Sequence, residues 1–340
     1  MKILFIARST LHKQPGGDTQ QVVETARALQ QIGVEVDVRL SGERINVNQY
    51  DLIHFFNLGR PADLLRLKGW ETKPVFCSTI WVDYGDSPKK EWMKVIARGL
   101  IGNDRFPPWR YLVQGHEKSI QAVIDGTDLF ITTTEREIEK LHDSFTGAEP
   151  TYVVHPGLPD EYIDTLPPEK EERSGILCVA RFEELKNQMA VIEATRNIAE
   201  PVTFVGDAAA NNPSYFNKCK RVASSNHSFR PHSSMSALRM LYRSHKTVVV
   251  PSHFETFGLT ALEALSQGCN VVVSKNVGAL EVLKDYVNVF DPNDISELQD
   301  KLKASLQAES QKDGILHARS FTWEKAAERL KELYTTRLSV

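Results

Sequence analysis

Two glutamates, Glu255 and Glu263, lie eight positions apart where the sequence predicts a strand joined to a helix by a short loop. The apolar run 247–250 predicts a buried strand, and leucines recur every three residues from Leu259 to Leu265, which is typical of a helix. In an open α/β sheet such a loop lies at the carboxyl ends of the strands, where ligands bind. The free N–H groups at the helix start attract an anion. We therefore expect an anion-binding loop with two carboxylates beside it.

The two carboxylates indicate that the ligand carries hydroxyl groups as well as an anion. An ionised carboxylate is purely an acceptor and can take two O–H bonds from a vicinal diol. A polyol joined to a phosphate meets both requirements, and a nucleotide sugar is the commonest such molecule. The alternative is that Glu255 is a solvated loop residue and Glu263 a solvated helix residue, because charged side chains are usually exposed.

Two cations, Arg181 and Lys186, follow another predicted strand at residues 176–180. A nucleoside diphosphate gains negative charge as its bond to a sugar breaks, and arginine and lysine stabilise that charge where no metal does. The chain contains no Asp-x-Asp motif, which a metal-dependent enzyme would show. We therefore expect no metal and no cofactor, with the nucleotide sugar as co-substrate. Taken alone, such a pair would be assigned to the solvated surface.

Glycine turns lie at several predicted sheet edges. Gly16 and Gly17 precede a predicted helix at 18–31, but they do not form the GxGxxG fingerprint of dinucleotide-binding proteins. Glycine lets the backbone approach a phosphate or sugar closely, and a plain turn explains the same residues equally well. Gly206 follows a predicted strand, and Gly278 opens a further turn into a helix, which again suits a phosphate.

Length, charge and cysteine content limit the class of protein. The chain has 340 residues, enough for two domains, and its net charge of −3 gives no bias toward nucleic acid. Its four cysteines form no CxxC pair, which indicates reduced core residues of an intracellular protein. The first apolar run is too short for a signal peptide, and no run approaches the ~18 residues of a membrane span. We therefore expect a cytoplasmic protein that is at most peripheral to a membrane.

Apolar runs alternate with helical patterns along the chain, which predicts parallel sheets flanked by helices. The pattern stops at a Pro/Gly cluster, residues 155–159, and restarts at residue 176. Such a cluster indicates an inter-domain link. The predicted strands are 2–7, 34–40, 51–57, 74–80, 129–133 and 151–154 before the link, and 176–180, 202–205, 247–250 and 270–274 after it.

The stretch around the two glutamates resembles the signature of the family 4 retaining glycosyltransferases of GT-B fold. Arg181 and Lys186 resemble the cations of the family's Gly-Arg-x-x-x-x-Lys element, and Gly206 lies in a turn that resembles its Val-Gly-Asp turn. The residues that match the glutamate signature itself are Glu255, Phe257, Gly258, Glu263, Ala264 and Gly268.

The resemblance implies an α/β protein of GT-B fold, with two doubly wound Rossmann-like domains facing across a cleft. Residues 1–157 would form the acceptor-side domain and residues 158–321 the domain that binds the nucleotide-sugar donor. A last helix, at about residues 322–340, would return to pack on the first domain.

The resemblance also implies roles for single residues. Glu263 would accept from the ribose diol, and Glu255 would orient hydroxyls of the transferred sugar. Arg181 and Lys186 would hold the diphosphate, so these two and Glu255 are the candidate catalytic residues. The candidate donor-binding residues are Gly16, Gly17, Arg181, Lys186, Gly206, Arg230, Phe257, Gly258, Leu259 and Glu263.

The activity that the resemblance implies is hexosyl transfer, EC 2.4, from a nucleotide sugar. UDP is favoured as the nucleotide by family frequency alone. An α-linked donor would give an α-linked product, by front-face attack of the acceptor hydroxyl without an enzyme nucleophile. A nucleotide-sugar 2-epimerase of the same fold and a non-catalytic family member are the alternatives.

Trp81 lies where the family usually has a histidine that faces the donor sugar. The resemblance therefore leaves the sugar and the acceptor side open. An indole can stack on a sugar face, and a core or interface tryptophan explains the residue at least as well. Our acceptor-side candidates, each close to the end of a predicted strand, are Asn57, Trp81 and Asp83.

Residues 88–113 are rich in basic and aromatic side chains. Their spacing is close to helical, so the segment predicts either an amphipathic helix that contacts anionic lipid or an ordinary solvated helix near the acceptor. The partners expected overall are a nucleotide sugar and a glycan or lipid-linked acceptor, as in polysaccharide or lipopolysaccharide biosynthesis, with peripheral membrane contact through this segment and no nucleic acid.

Overall fold

A computed structural model describes residues 1–81, 88–102, 104–164, 166–167, 173–209 and 212–339. The contacts divide the chain into two compact units, Met1–Gly157 with Trp323–Val340, and Leu158–Thr322. The chain thus passes into the second unit within the Pro/Gly cluster 155–159. Asp83, one of the acceptor-side candidates, lies outside the described residues.

The described part of the first unit is built on a parallel sheet of six strands in the order β2-β1-β3-β4-β5-β6. Along β1 the side chains alternate, so Phe5 packs on one face of the sheet and Ile6 on the other. Both faces are therefore buried, as a parallel sheet flanked by helices requires. The strands are β1 (Lys2–Ala7), β2 (Glu35–Leu40), β3 (Leu52–Phe56), β4 (Val75–Ser78), β5 (Leu129–Thr132) and β6 (Thr151–Val153).

The helices of the first unit follow the strands in alternation. The basic segment 88–113, for which an amphipathic or a solvated helix was expected, is divided between two helices and a connection. The chain turns at Gly102 and passes through Pro107 and Pro108. The helices between the strands of the first unit are α1 (Gly17–Gln31), α2 (Pro61–Leu65), α3 (Pro88–Leu100), α4 (Trp109–Asp125) and α5 (Glu135–Ser144).

The described part of the second unit contains another six-stranded parallel sheet, in the order β12-β11-β10-β7-β8-β9. Two of its strands, β9 and β12, were not predicted, because β9 is mostly polar and β12 has only three residues. The strands are β7 (Ile176–Val179), β8 (Val202–Val205), β9 (His227–Arg230), β10 (Thr247–Val250), β11 (Asn270–Ser274) and β12 (Asn288–Phe290).

Helices alternate with these strands too, and a last helix returns to the first unit. The helices of the second unit are α6 (Asp160–Ile163), α7 (Gln188–Ala194), α8 (Pro213–Val222), α9 (Met235–Ser244), α10 (Leu259–Ser266), α11 (Leu280–Leu283), α12 (Ile295–Gln307) and α13 (Lys312–Arg319). The last helix, α14 (Trp323–Leu338), packs against α1. Its Tyr334 is buried against His54 of β3 and Phe76 of β4.

Each sheet contains a point at which the strand order reverses. In the first sheet it lies between β1 and β3, and in the second between β7 and β10. The connections leave such a pair of strands in opposite directions, which opens a crevice at their carboxyl ends. These two points are therefore where the topology favours ligand binding.

Candidate functional site

The residues that follow β7 and β10 place opposite charges side by side. Lys186 Nζ lies 2.8 Å from Glu255 Oε1, and the Ser252 hydroxyl donates to the same oxygen at 2.8 Å. Both ion-pair side chains are about one-fifth exposed, at 18% and 20%. The two residues were predicted to act on different parts of a ligand, and the structure brings them into direct contact at the reversal point of the second sheet.

A left-handed residue holds Lys186 in place. Lys186 ends a 3₁₀ turn, Glu184–Lys186, and Asn187 follows with φ of +52°. The Asn187 amide donates to the carbonyls of Pro251 at 3.3 Å and Pro292 at 3.1 Å. Asparagine tolerates this backbone conformation better than most residues, and its side chain fastens the loop of Lys186 to the loop of Glu255.

Arg181 lies nearer the end of β7 and is more exposed than Lys186. Its side chain is 45% exposed, and Nη2 lies 3.8 Å from Glu183 Oε1. At this distance and exposure the contact is a weak one. The guanidinium group is thus accessible at the carboxyl edge of the sheet and can turn toward an anion.

The loop that carries Glu255 is fixed by backbone hydrogen bonds on both sides. His253 N donates to the Leu185 carbonyl at 2.8 Å, and Glu255 N donates to the Asn276 carbonyl at 3.2 Å. Gly278 N donates in turn to the Glu255 carbonyl at 3.1 Å. Gly278 N already has a partner in this conformation, and phosphate binding at the Gly278 turn stays a prediction.

Gly258 begins α10 in a left-handed conformation, with φ of +100°. A β-carbon at this position would lie 2.6 Å from Val277 Cγ1, so the turn accepts only glycine without a shift. The neighbouring Phe257 and Leu259 are buried in the core of the unit. Their side chains pack in the core. Of the predicted donor-binding residues Phe257, Gly258 and Leu259, only the backbone at the start of α10 can therefore contact a ligand.

Glu263 is buried in α10, so the alternative of a solvated helix glutamate is wrong. The Tyr242 hydroxyl donates to Glu263 Oε2 at 3.0 Å. Burial, together with the carboxylate, raises the pKa of Tyr242 well above its usual value. A carboxylate held in this way keeps a fixed position from which it can accept hydroxyl donors.

Gly206 and Arg230 lie on the other side of β7. A β-carbon on Gly206 would lie 2.1 Å from the Ala180 carbonyl oxygen, and Gly206 N donates to the Arg230 carbonyl at 3.0 Å. The close approach of two backbone segments therefore explains this glycine without a ligand. Arg230 is exposed at the end of β9.

Gly16 and Gly17 lie at the start of α1, beside the reversal point of the first sheet. The first turn of this helix holds Asp18, whose carboxylate pairs with Arg8 at 2.5 Å and accepts from Thr19 N at 2.9 Å. The positive end of the helix is thus already matched by a carboxylate of the chain itself.

Asn57 and Trp81 follow neighbouring strands of the first sheet. Asn57 is left-handed, with φ of +80°, and its N–H donates to the Ser78 carbonyl at 2.9 Å. The Trp81 indole packs edge-on against Phe145, with ring centroids 5.0 Å apart. Trp81 is therefore partly a packing residue, in line with the alternative of a core or interface tryptophan.

A buried glutamate that the sequence did not reveal fixes the loop of Trp81. Glu137, in the first turn of α5, accepts from Trp81 N at 2.8 Å and from Thr79 Oγ1 at 2.5 Å. It also accepts from the backbone and hydroxyl of Thr133, each at 2.8 Å. Burial nevertheless raises the pKa of Glu137. Ile80 has a φ of +41°, strained for a β-branched residue, and these hydrogen bonds hold the strained turn together.

Replacement of Glu137 by glutamine should destabilise the first unit. The amide would present N–H groups to N–H and O–H donors, and leaving buried donors unpaired costs about 1–3 kcal/mol each. We expect a loss of about 2–4 kcal/mol in the free energy of unfolding, measured by urea denaturation. Glu139→Gln, at an exposed position of the same helix, should change it by less than about 0.5 kcal/mol. Equal effects of the two substitutions would contradict this account.

Asn187, Ser252 and Glu137 were not predicted from the sequence. The Lys-Asn step at 186–187 is a usable signal, because asparagine often takes the left-handed conformation after a short turn. Ser252 and Glu137 carry no such signal. A serine three positions before a glutamate does not show that the two will bond, and the donors Thr79 and Trp81 are 58 and 56 positions from Glu137. Among the described residues, no cluster of His, Cys, Asp and Glu side chains could hold a metal ion.

Comparison with known proteins gives a family match over the second unit. Residues 163–320 match the family model described as glycosyl transferases group 1. This range includes Arg181, Lys186, Glu255 and Glu263, the charged residues of the candidate site.

Curated relatives align with parts of the chain. It is 36% identical to O-antigen chain mannosyltransferase B of Escherichia coli over 102 residues, 28% of this chain and 27% of that protein. It is 28% identical to D-inositol 3-phosphate glycosyltransferase of Geodermatophilus obscurus over 270 residues, 71% of this chain and 59% of that protein. The chain thus spans less than two thirds of the length of either relative.

Solved structures share the fold over nearly the full chain. Sucrose-phosphate synthase from Thermosynechococcus elongatus is similar with a TM-score of 0.76 at 16% identity, covering 100% of both chains. Anabaena HepE in complex with UDP and glucose is similar with a TM-score of 0.74 at 16% identity, covering 98% of this chain and 99% of that one. These likenesses confirm the predicted α/β class and GT-B fold. Residues 163–320 therefore match the glycosyl transferases group 1 family, and the shared fold extends over nearly the whole chain.

Proposed function

We propose that the protein is a retaining glycosyltransferase that moves a sugar from a nucleotide sugar to a hydroxyl group of a glycan or lipid-linked acceptor. The observation that carries this proposal is the contact of Lys186 with Glu255 at the reversal point of the second sheet, with Arg181 nearby in sequence and exposed. A cation beside a carboxylate suits a donor in which a phosphate and a polyol are covalently joined. The reaction would need no metal and no further cofactor.

In the transfer step, the bond between the anomeric carbon and the diphosphate oxygen breaks, and its electron pair stays on the diphosphate. The acceptor oxygen bonds to the same face of the anomeric carbon, and its proton passes to the departing diphosphate oxygen. Lys186 stabilises the charge that develops there as a cation already held in place, and the accessible Arg181 guanidinium turns toward it. Glu255 orients the sugar hydroxyls, and Glu263, held by Tyr242, accepts from the ribose diol.

We assign donor binding to the unit Leu158–Thr322 and acceptor binding to the unit that begins with Met1–Gly157. Asn57 and Trp81 are the acceptor-side candidates that the described residues include. UDP is the favoured nucleotide, because the similar HepE structure contains UDP and glucose. A cell-envelope glycan is the favoured acceptor class, since the name of one relative assigns it to O-antigen chains. A lipid-linked acceptor would entail peripheral contact with the inner face of a membrane.

The direct test is thermal unfolding in the presence of a panel of nucleotide sugars. A ligand that binds only the folded state at about 100 times its Kd adds about 2.7 kcal/mol to the free energy of unfolding. We expect the midpoint to rise with UDP-sugars and not with free sugars. The donor so identified should then give an α-linked product with an acceptor, by NMR of the anomeric proton. If no nucleotide sugar of the panel raised the midpoint of thermal unfolding, the proposal would be contradicted.

Incubation with the donor alone separates transfer from the other activities of this fold. A transferase releases nucleoside diphosphate slowly by hydrolysis, and much faster once an acceptor is added. A nucleotide-sugar 2-epimerase gives an isomeric sugar nucleotide without an acceptor. A non-catalytic family member gives neither product.

A further inference from the structure

The segment that contains α3 and the start of α4 exposes a concentration of large apolar side chains. Leu100, Ile101 and Trp109 are 72%, 73% and 78% exposed. Further exposed apolar residues lie within a few positions of these three. We name the whole set the apolar ridge, which comprises Met93, Leu100, Ile101, Phe106, Trp109 and Val113.

The ridge lies on one face of α3 and on the first turns of α4. Met93, Ala97 and Leu100 are spaced i, i+4 and i+7, which places them on the same side of α3, and all three are exposed. Trp109 and Val113 are spaced i and i+4 in the first turns of α4. The exposed apolar surface is therefore continuous along each helix and is not a set of scattered single residues.

Packing within the first unit explains a different set of residues on α3. Trp92, Val95 and Ile96 are partly buried, and α3 contacts α4. The helix is thus apolar on two sides, of which the unit covers one. Contiguous exposed apolar surface of this kind marks an interaction site more often than chance exposure.

The charge of the segment identifies the partner. Residues 88–113 carry six cations and two anions, a net charge of +4, within a chain whose net charge is −3. Lys89 and Arg105 are exposed beside the ridge. Apolar side chains interleaved with cations favour the headgroup region of an anionic bilayer, where phosphates meet the cations and acyl chains accept the apolar groups.

We infer that the apolar ridge docks the first unit on a membrane surface that contains anionic phospholipid. Leu100, Ile101 and Trp109 enter the boundary between headgroups and acyl chains, and the neighbouring cations bind lipid phosphates. None of the helices in the described ranges is long and apolar enough to span a bilayer. The inference rests on the proposed function and deepens it, because a lipid-linked acceptor is presented at a membrane surface.

The test is co-sedimentation of the full chain with vesicles, in the absence of any sugar nucleotide. We expect binding to vesicles of phosphatidylcholine that contain about 30% phosphatidylglycerol, and much weaker binding to vesicles of pure phosphatidylcholine. Binding to the anionic vesicles should weaken as salt is raised. The double variant Ile101→Glu/Trp109→Glu should bind about tenfold more weakly or worse, because two buried apolar contacts are replaced by charges.

A matched control is available on the second unit. Met240 and Leu316 are 64% and 61% exposed, outside the ridge. Met240→Glu/Leu316→Glu adds the same two charges to the chain, and it should bind vesicles nearly as well as the unaltered protein. All four positions are exposed, so the thermal midpoint should confirm that both double variants are folded.

Tryptophan fluorescence gives a second readout. Trp109 is the exposed one of the five tryptophans, all of which lie within the described residues. Insertion should therefore shift the emission to shorter wavelength when anionic vesicles are added. Trp109→Phe should lose this shift and still sediment with vesicles, since phenylalanine retains an aromatic apolar side chain.

Several outcomes would overturn the inference. These are equal binding of the ridge and control double variants, indifference to lipid charge, or an unshifted emission in the bound protein. A change of solution mass in the ridge variant, by light scattering, with unchanged vesicle binding would assign the ridge to contacts between copies of the chain. Failure of donor binding in the thermal assay would instead count against the proposed activity, and it would leave the vesicle results standing.

Discussion

Replacement of Lys186 by alanine should reduce sugar transfer by about 100- to 1,000-fold, the loss typical when one fixed group that stabilises a developing negative charge is removed. Lys186 Nζ lies 2.8 Å from Glu255 Oε1 and is partly buried, so its charge is held in place before a donor arrives. Its electrostatic effect needs no reorganisation when the diphosphate departs. We expect Arg181→Ala to cause a loss of similar size.

The fold should survive both substitutions. Arg181 is nearly half exposed, and Glu255, the partner of Lys186, retains the Ser252 hydroxyl as a donor. Partly exposed ion pairs contribute about 1 kcal/mol or less to stability. Turnover and the thermal midpoint should be measured together, with Lys303→Ala, an exposed lysine of α12, as the control that retains activity. Near-normal transfer by Lys186→Ala or Arg181→Ala would remove the basis of the proposed function.

Acidification should destabilise the first unit through His54. This histidine is fully buried in β3, where Ser78 Oγ lies 2.8 Å from Nε2 and the Tyr334 hydroxyl lies beside Nδ1. Burial lowers the pKa of His54 from 6.5 to about 3. The folded protein therefore keeps the imidazole neutral in a range of pH where the unfolded chain binds a proton.

The sign of the effect follows from this difference in pKa. Stability is complete above pH 6.5 and falls as the pH decreases toward 3, because only the unfolded state gains a proton in that range. The slope is about 1.4 kcal/mol per pH unit. Between pH 7.5 and pH 5 we expect His54 alone to remove about 2 kcal/mol from the free energy of unfolding.

Urea denaturation at several pH values measures this contribution. In His54→Gln the side chain can still form hydrogen bonds but cannot titrate. Below pH 6.5 the free energy of unfolding should therefore change less steeply with pH, by the slope that corresponds to about one proton. His12→Gln, which replaces an exposed histidine, should leave the curve of the unaltered protein unchanged. Superimposable curves for His54→Gln and the unaltered protein would show that the buried imidazole does not set the acid stability.

Apolar periodicity was sufficient to predict most of both sheets, because buried parallel strands are continuous apolar runs in the sequence. It failed for β9, most of whose residues are polar, and for β12, which has only three residues. The positions of Glu255 and Glu263 were also accessible, since a strand–loop–helix joint fixes where its loop must lie. The burial of Glu263 could not be predicted, because the hydroxyl that donates to its carboxylate belongs to Tyr242, on a different helix.

Side-chain pairing was the part of the candidate site that the sequence did not reveal. Lys186 and Glu255 are 69 positions apart, and nothing in either local pattern indicates that they meet. The same holds for two of the donors to Glu137, Thr79 and Trp81, which follow β4 and are 58 and 56 positions away. Trp81 is the instructive case: its substitution for a histidine suggested a changed ligand contact, and the structure shows an indole packed on Phe145.

The return of α14 to the first unit has a consequence for the order of events during synthesis. The core of that unit contains Tyr334 and Trp323, which leave the ribosome after the whole of Leu158–Thr322. Domains usually complete folding in the order in which they are made. Here the order is reversed, because the unit made first waits for its last helix while the inserted one already has all its residues. Until then His54 and Phe76 lack Tyr334, the side chain that covers them in the folded unit.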